Sequence, residues 1–167
     1  MLRLFLDDHG SGAHDLFVKI DGRPSWVWVT DTSWLYDFFS RSNQPLSNDE
    51  EPVRANRTAI ASLIHLWQDL LLADESTCYL PYDLSDQYVG AFRVTKGKKL
   101  YSIVPVWSPD LTGGLTSNFF LQVQTSTIWK KGTEPEWHLA PASILTGLTW
   151  SLRQLEQPVT PLHYQGE

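Results

Sequence analysis

Residues 79 to 107 are YLPYDLSDQYVGAFRVTKGKKLYSIVPVW. Residues 87 to 95, and again 99 to 107, concentrate β-branched and aromatic side chains, the composition that fits a pleated, half-buried surface. Lys96-Gly97-Lys98 between them supplies a flexible, charged turn. The pattern predicts a long antiparallel hairpin around which the rest of the chain packs.

Working upstream, residues 52 to 73 carry Ile60, Leu63, Ile64, Trp67, Leu70 and Leu71 at three- and four-residue spacing. Such a stripe predicts a long helix lying on a sheet, with Trp67 and Leu70 buried. Asn48 or Asp49 can cap it, Glu50 and Glu51 suit its positive N-terminal dipole, and Pro52 is tolerated in the first turn. The preceding RSNQPLSNDEE of residues 41 to 51 is polar and aperiodic, which predicts a mobile surface loop. Before it, Asp31 or Thr32 can cap a short helix through Ser40, with Trp34, Leu35, Phe38 and Phe39 at helical spacing.

The N-terminal third has the period of strands. Leu2, Leu4 and Leu6 alternate with Arg3, Phe5 and Asp7, as Leu16, Val18 and Ile20 do with Phe17, Lys19 and Asp21, which predicts a hairpin around a Gly10-Ser11-Gly12 loop. Ser25 to Thr30 predicts a third strand, tryptophans on one face and valines on the other, both faces covered. Downstream of the central hairpin, Asn118 to Thr125 has Phe119, Leu121 and Val123 on alternate positions and is expected as a strand, followed by a shorter one over Ser126 to Trp129. Pro141 opens a last helix to Leu155 along Ile144, Leu145, Leu148, Leu152 and Leu155; Pro158 and Pro161 end it, leaving residues 158 to 167 as a mobile tail. Strands in runs rather than strict alternation with helices predict an α+β fold, a mostly antiparallel sheet covered by two or three helices, in a single domain over residues 1 to 167.

Composition narrows the function classes. With 42% hydrophobic and 13% aromatic residues the chain can bury a sizeable core. Its opening MLRLFL is shorter than the apolar core of a signal peptide, about 7–15 residues, and no stretch approaches the roughly 20 apolar residues of a membrane span. The single Cys78 cannot form an internal disulfide, so a reducing compartment, the cytoplasm, is expected. Residues 1 to 92 hold six basic and fourteen acidic side chains, a net −8, whereas residues 93 to 167 hold seven and five, a net +2. An acidic front half disfavours nucleic acid and anionic membrane and steers a basic protein toward itself.

No motif names a reaction. Asp7, Asp8, His9 and His14 around the glycine loop have the ligand types of a metal-dependent hydrolase but match no established metal-ligand spacing. Cys78 lies among Glu75 and Asp83, which would raise a thiol pKa, and has no activating base beside it. His65 sits between Ile64 and Leu66 as a flanking or core histidine, and the glycine runs lack the lysine of a phosphate loop. No cofactor is implied. A small apolar ligand would need a closed pocket of several hundred Å³ among the aromatics. The remaining candidates are acidic groups suited to a protein partner: Asp49, Glu50 and Glu51 ahead of the long helix, and Asp83 and Asp86 in the DLSDQ entry to the hairpin, where carboxylates can also cap backbone N–H groups.

The segment Leu80-Pro81-Tyr82-Asp83-Leu84-Ser85-Asp86-Gln87-Tyr88-Val89-Gly90, followed by Phe92-Arg93-Val94, resembles a segment of some bacterial immunity proteins, which protect a cell from polymorphic or contact-dependent toxins. It covers under a fifth of the chain. The resemblance implies a small cytoplasmic, non-catalytic protein that neutralises one cognate toxin, commonly a basic nuclease, through a surface that differs among members.

Overall fold

The computed structural model describes residues 1–6, 15–40, 52–85, 87–111 and 114–157. The fold is α+β, with two antiparallel sheets and four helices among the described residues. The first sheet has the order β1-β2-β3, from β1 (Leu2–Leu6), β2 (Asp15–Ile20) and β3 (Trp26–Asp31). Then come α1 (Ser33–Ser40) and α2 (Pro52–Leu72). The second sheet runs β4 (Thr77–Leu84), β5 (Val89–Lys96), β6 (Tyr101–Ser108), with β7 (Lys130–Lys131) and β8 (Trp137–Leu139) both on the far side of β6; α3 (Ser117–Val123) precedes β7 and α4 (Pro141–Glu156) closes the chain.

The central hairpin forms as expected, with Lys96 opposite Tyr101 and the turn at residues 97 to 100 closed by the Gly97 N–H donating to the Leu100 carbonyl (3.1 Å). Both faces of β5 are buried: Phe92 and Val94 face the main core, while Ala91 packs with Val104 and Val106 in a smaller cluster on the other side. A strand buried on both faces is a near-continuous apolar run. Pro105 sits inside β6 because pairing on that flank is interrupted there: β8 takes residues 101 to 103 and β7 takes 106 and 107, so no ladder donor is lost.

The α2 helix has the expected bounds, and Ile60, Leu63, Ile64, Trp67 and Leu71 are buried on its inner stripe. Leu70 departs from expectation, being only partly buried at the margin of the core, and His65 is an exposed flank residue. The helix ends where Lys96 reaches over from β5, its Nζ donating to the Leu70 and Ala73 carbonyls (2.9 and 2.5 Å). An ammonium at these orphan carbonyls also matches the negative end of the helix dipole.

The expected strand over Asn118 to Thr125 is a helix, α3. The Thr116 side chain accepts the Phe119 N–H and caps it; Ser117, Phe120 and Gln124 are the buried positions, a spacing of three and four, while Phe119 and Leu121 are exposed. The alternation of Phe119, Leu121 and Val123 was thus incidental. Residues 126 to 129 turn rather than forming a strand, and the chain rejoins the sheet at β7.

One contiguous core joins both sheets and the helices, from Leu4 and Val18 through Phe92 and Ile103 to Leu63, Trp67 and Leu148. Trp28 bridges the sheets, its ring 4.8 Å from Phe92 and 5.3 Å from Trp137 in edge-to-face contacts. The outer side of β3 corrects the expectation that both its faces are covered, since Val27 and Val29 are 46% and 55% exposed. No helix among the described residues is long and apolar enough to cross a membrane.

Candidate functional site

The DLSDQ entry to the hairpin is built on a bulge. Pro81 pairs with Ala91 and Asp83 with Gly90, so Tyr82 is an extra residue in β4. Bulges re-aim side chains, and this one lays the Tyr82 ring over Gly90, where an added Cβ would come 3.0 Å from the ring. Glycine at 90 is what lets the ring approach the backbone. Tyr82 also meets Phe92 at 4.4 Å and Trp28 at 5.9 Å between ring centroids, which fixes its orientation.

Asp83, next in the chain, does not cap the following loop. Its carboxylate accepts from the Thr30 hydroxyl (3.1 Å) and from the Tyr88 hydroxyl (2.9 Å), tying β3 to the start of β5. The loop is held instead by Ser85, whose Oγ accepts from the Gln87 and Tyr88 N–H groups at 3.3 and 3.2 Å. Tyr88 in turn meets Trp107 edge-on at 6.5 Å, and the Lys130 ammonium lies 4.9 Å from the Trp107 ring centre.

Beside this corner opens a cleft of about 300 Å³ whose walls include Tyr82, Val106, Trp107, Lys131, Thr133 and Glu134. One Glu134 carboxylate oxygen is buried there without a hydrogen-bond donor, while Trp107 is 37% exposed. A buried carboxylate oxygen lacking a donor is costly. The cleft therefore sets aromatic side chains beside one carboxylate, Glu134, and one ammonium, Lys131, a mixed aromatic and polar lining.

Every titration shift resolved among the described residues moves away from neutrality. Burial raises the Tyr82 phenol, with Glu134 and Asp83 adding to it. Burial also raises Tyr88, helped by its bond to Asp83. Cys78 is buried and its thiol is pushed up to about 11, burial outweighing the opposing pull of Lys96. The hydrogen bond from Ser102 lowers Glu136. Proton transfer near neutral pH calls for groups tuned toward it, and no shift resolved among the described residues is of that kind.

Of the acidic candidates, Asp83 lies at the corner; Asp49, Glu50, Glu51 and Asp86 fall outside the described residues, as do Asp7, Asp8, His9 and His14 of the hydrolase reading. Among the described residues no three His, Cys, Asp or Glu side chains converge as metal ligands would. For an apolar ligand, a larger hollow is a groove of about 580 Å³ between α2 and α3, walled by Leu66, Leu70, Cys78 and Leu121 with Asp69 and Glu75, and no aromatic ring borders it. Tyr82, Trp107 and Glu134 were not singled out from the sequence. The signal for Tyr82 was Gly90 within a strand, which marks a bulge or a close approach; Glu134 lay in a stretch with no legible pattern.

The chain matches no protein-family model, and no curated protein or solved structure is detectably similar to it.

Proposed function

We propose that this chain is a non-catalytic protein-binding domain of the immunity type, which neutralises a basic toxin in the cytoplasm by stoichiometric contact. The observation that carries the reading is the corner at β4 and β5: an exposed Trp107 edge beside a cleft in which Glu134 lacks a donor, adjoining Asp83 and Tyr88. A basic side chain of the partner enters that cleft toward the Glu134 carboxylate, beside the Trp107 ring on which Lys130 already lies. Few residues carry most of a protein interface's energy, and tryptophan and arginine are enriched among them. The net −8 of residues 1 to 92, with Asp49, Glu50, Glu51 and Asp86 among its carboxylates, speeds the approach of a basic partner.

The test is complex formation with the product of the adjacent open reading frame, where that frame encodes a toxin domain. A one-to-one complex is expected. Trp107→Ala should weaken it by about tenfold or more through faster dissociation. Replacing Asp49, Glu50 and Glu51 with Ser should slow association and flatten its dependence on salt. Absence of a complex, together with no protection of cells expressing that product, overturns the reading.

A further inference from the structure

Sheet edges carry unpaired backbone groups, and proteins ordinarily cover or blunt them. In this fold the other edges are closed individually. Along β1 lies α4, with the Leu4 N–H donating to Ser151 Oγ (2.9 Å). On β4, the Tyr79 N–H donates to Gln124 Oε1 (3.2 Å) and the Pro81 carbonyl accepts from the Trp67 indole (3.0 Å). Beyond β6 the sheet ends in the short β7 and β8. The outer edge of β3 differs: among the described residues no strand pairs with it, and β3 meets the second sheet through the inward rings of Trp26 and Trp28 and the Thr30–Asp83 bond at its end. Its six residues WVWVTD contain no proline, lysine or bulge, and Trp26, Val27 and Val29 are all exposed.

We propose that β3 accepts an extended segment of a protein partner as an additional strand, with a basic side chain of that segment at the Asp31 end. This rests on the protein-binding reading and names the element that such a partner would present. Main-chain hydrogen bonds along an open edge supply affinity, and alternate side chains supply selectivity. Charge decides the chemistry of the segment. At the Trp26 end the basic residues of the sheet are already matched, since Arg3 and Lys19 both pair with Asp21 (2.5 and 3.5 Å). At the other end Asp15 and Asp31 stand directly opposite one another, and among the described residues neither meets a cation. Like charges so placed repel, and an incoming ammonium or guanidinium on the outer side of Asp31, whose Oδ1 also accepts the Ser33 N–H (2.5 Å), relieves the repulsion. Val27 and Val29, on the same outward face, take the apolar members of an alternating segment.

Three fluorescent probes test this with the full chain: an eight-residue peptide alternating lysine with valine, the same peptide methylated on every backbone amide, and one alternating glutamate with valine. Saturable binding of the first is expected. Backbone methylation, glutamate for lysine, and Val29→Lys in the chain should each weaken it by about tenfold or more. Val29 is more than half exposed, and an unchanged urea melt confirms that Val29→Lys is folded. Equal binding of the methylated peptide means charge attraction without strand pairing and overturns the proposal. So does self-association of the chain that Val29→Lys abolishes, which makes a second copy the occupant. With the toxin-type neighbour as partner, equal capture by the native chain and Val29→Lys removes strand addition while the protein-binding reading stands. Methylation-sensitive peptide binding without capture of that neighbour supports the open edge and removes the toxin as its occupant.

Discussion

Gly147→Ala in α4 separates two opposing effects by sign. Inside a helix the change ordinarily stabilises by about 1 kcal/mol, because glycine has more backbone freedom to lose. Here the new Cβ would fall 2.1 Å from the Leu2 carbonyl oxygen and 2.7 Å from Met1 Cγ, where ordinary contact begins at 3.4 Å. The helix must therefore withdraw from β1 by on the order of 1 Å, a strain of roughly 1–3 kcal/mol in a packed interior. Withdrawal by that much lengthens the 2.9 Å bond from the Leu4 N–H to Ser151 Oγ past its useful range and leaves a buried donor unpaired, a further ~1–3 kcal/mol. After the helix-propensity gain is subtracted, a net loss of about 3 kcal/mol is expected, a large fraction of a domain's stability. Reversible urea unfolding followed by tryptophan fluorescence measures it, with the exposed Thr149→Ala as a control expected to change stability by less than ~0.5 kcal/mol. Ser151→Ala removes the same hydrogen bond, so the double variant should lose less than the two singles combined. A neutral or stabilised Gly147→Ala would refute the close seating of α4 on the β1 edge.

Trp67 is fully buried, with its ring 6.0 Å from Phe92 and its indole N–H on the Pro81 carbonyl, so Trp67→Ala should cost about 3–5 kcal/mol; an unchanged urea midpoint would contradict the assigned face of α2. Alkaline titration offers a second check. The Cys78 thiol rises from 9.0 to about 11 on folding, so the native chain holds its proton where the unfolded chain releases it, and stability falls as pH rises from 9 to 11. Burial raises Tyr36, Tyr82 and Tyr88 in the same direction and extends the loss upward. Cys78→Val should remove up to about 3 kcal/mol of the loss between pH 9 and 11, measured as urea stability against pH, and an identical slope in both proteins would count against burial as the cause.

The elements legible in the sequence were those whose burial repeats along the chain. The α2 stripe and the central hairpin each present many apolar positions in phase, so the period survives a few exceptions such as Leu70. α3 was misread because seven residues hold barely two helical turns, and Phe119, Leu121 and Val123 happen to alternate. Its cap, Thr116, was visible, but a threonine before a short apolar run does not by itself outvote a period of two. The exposed valines of β3 were misjudged for a different reason: an alternation of tryptophan and valine shows that two faces differ, not that both are covered. The same limit applied at the corner. Asp83 could be named as an acidic candidate, yet its partners are Thr30 on β3 and Tyr88 just ahead of β5, and only tertiary structure brings Trp107 and Glu134 alongside.

Where local rules and the global fold disagree, the disagreement locates function more sharply than composition does. Most of this chain is consistent across levels: Gln124 and Ser151 satisfy strand edges, Lys96 satisfies a helix terminus, and Pro105 falls where its missing N–H costs nothing. Departures occur elsewhere too, as at the buried Trp34 indole N–H, but three concern β3 and the neighbouring corner. A bulge turns Tyr82 out of the ladder, Glu134 keeps a buried oxygen without a donor, and β3 leaves an apolar edge open. Thr30 and Asp83 join the last of these to the first two through a 3.1 Å bond. A segment added along β3 spans about 20 Å and reaches Asp31 beside that bond. If one basic partner engages both the edge and the cleft, Val29→Lys and Trp107→Ala should each weaken the same complex, and a complex weakened by only one of them would separate the two proposed contacts.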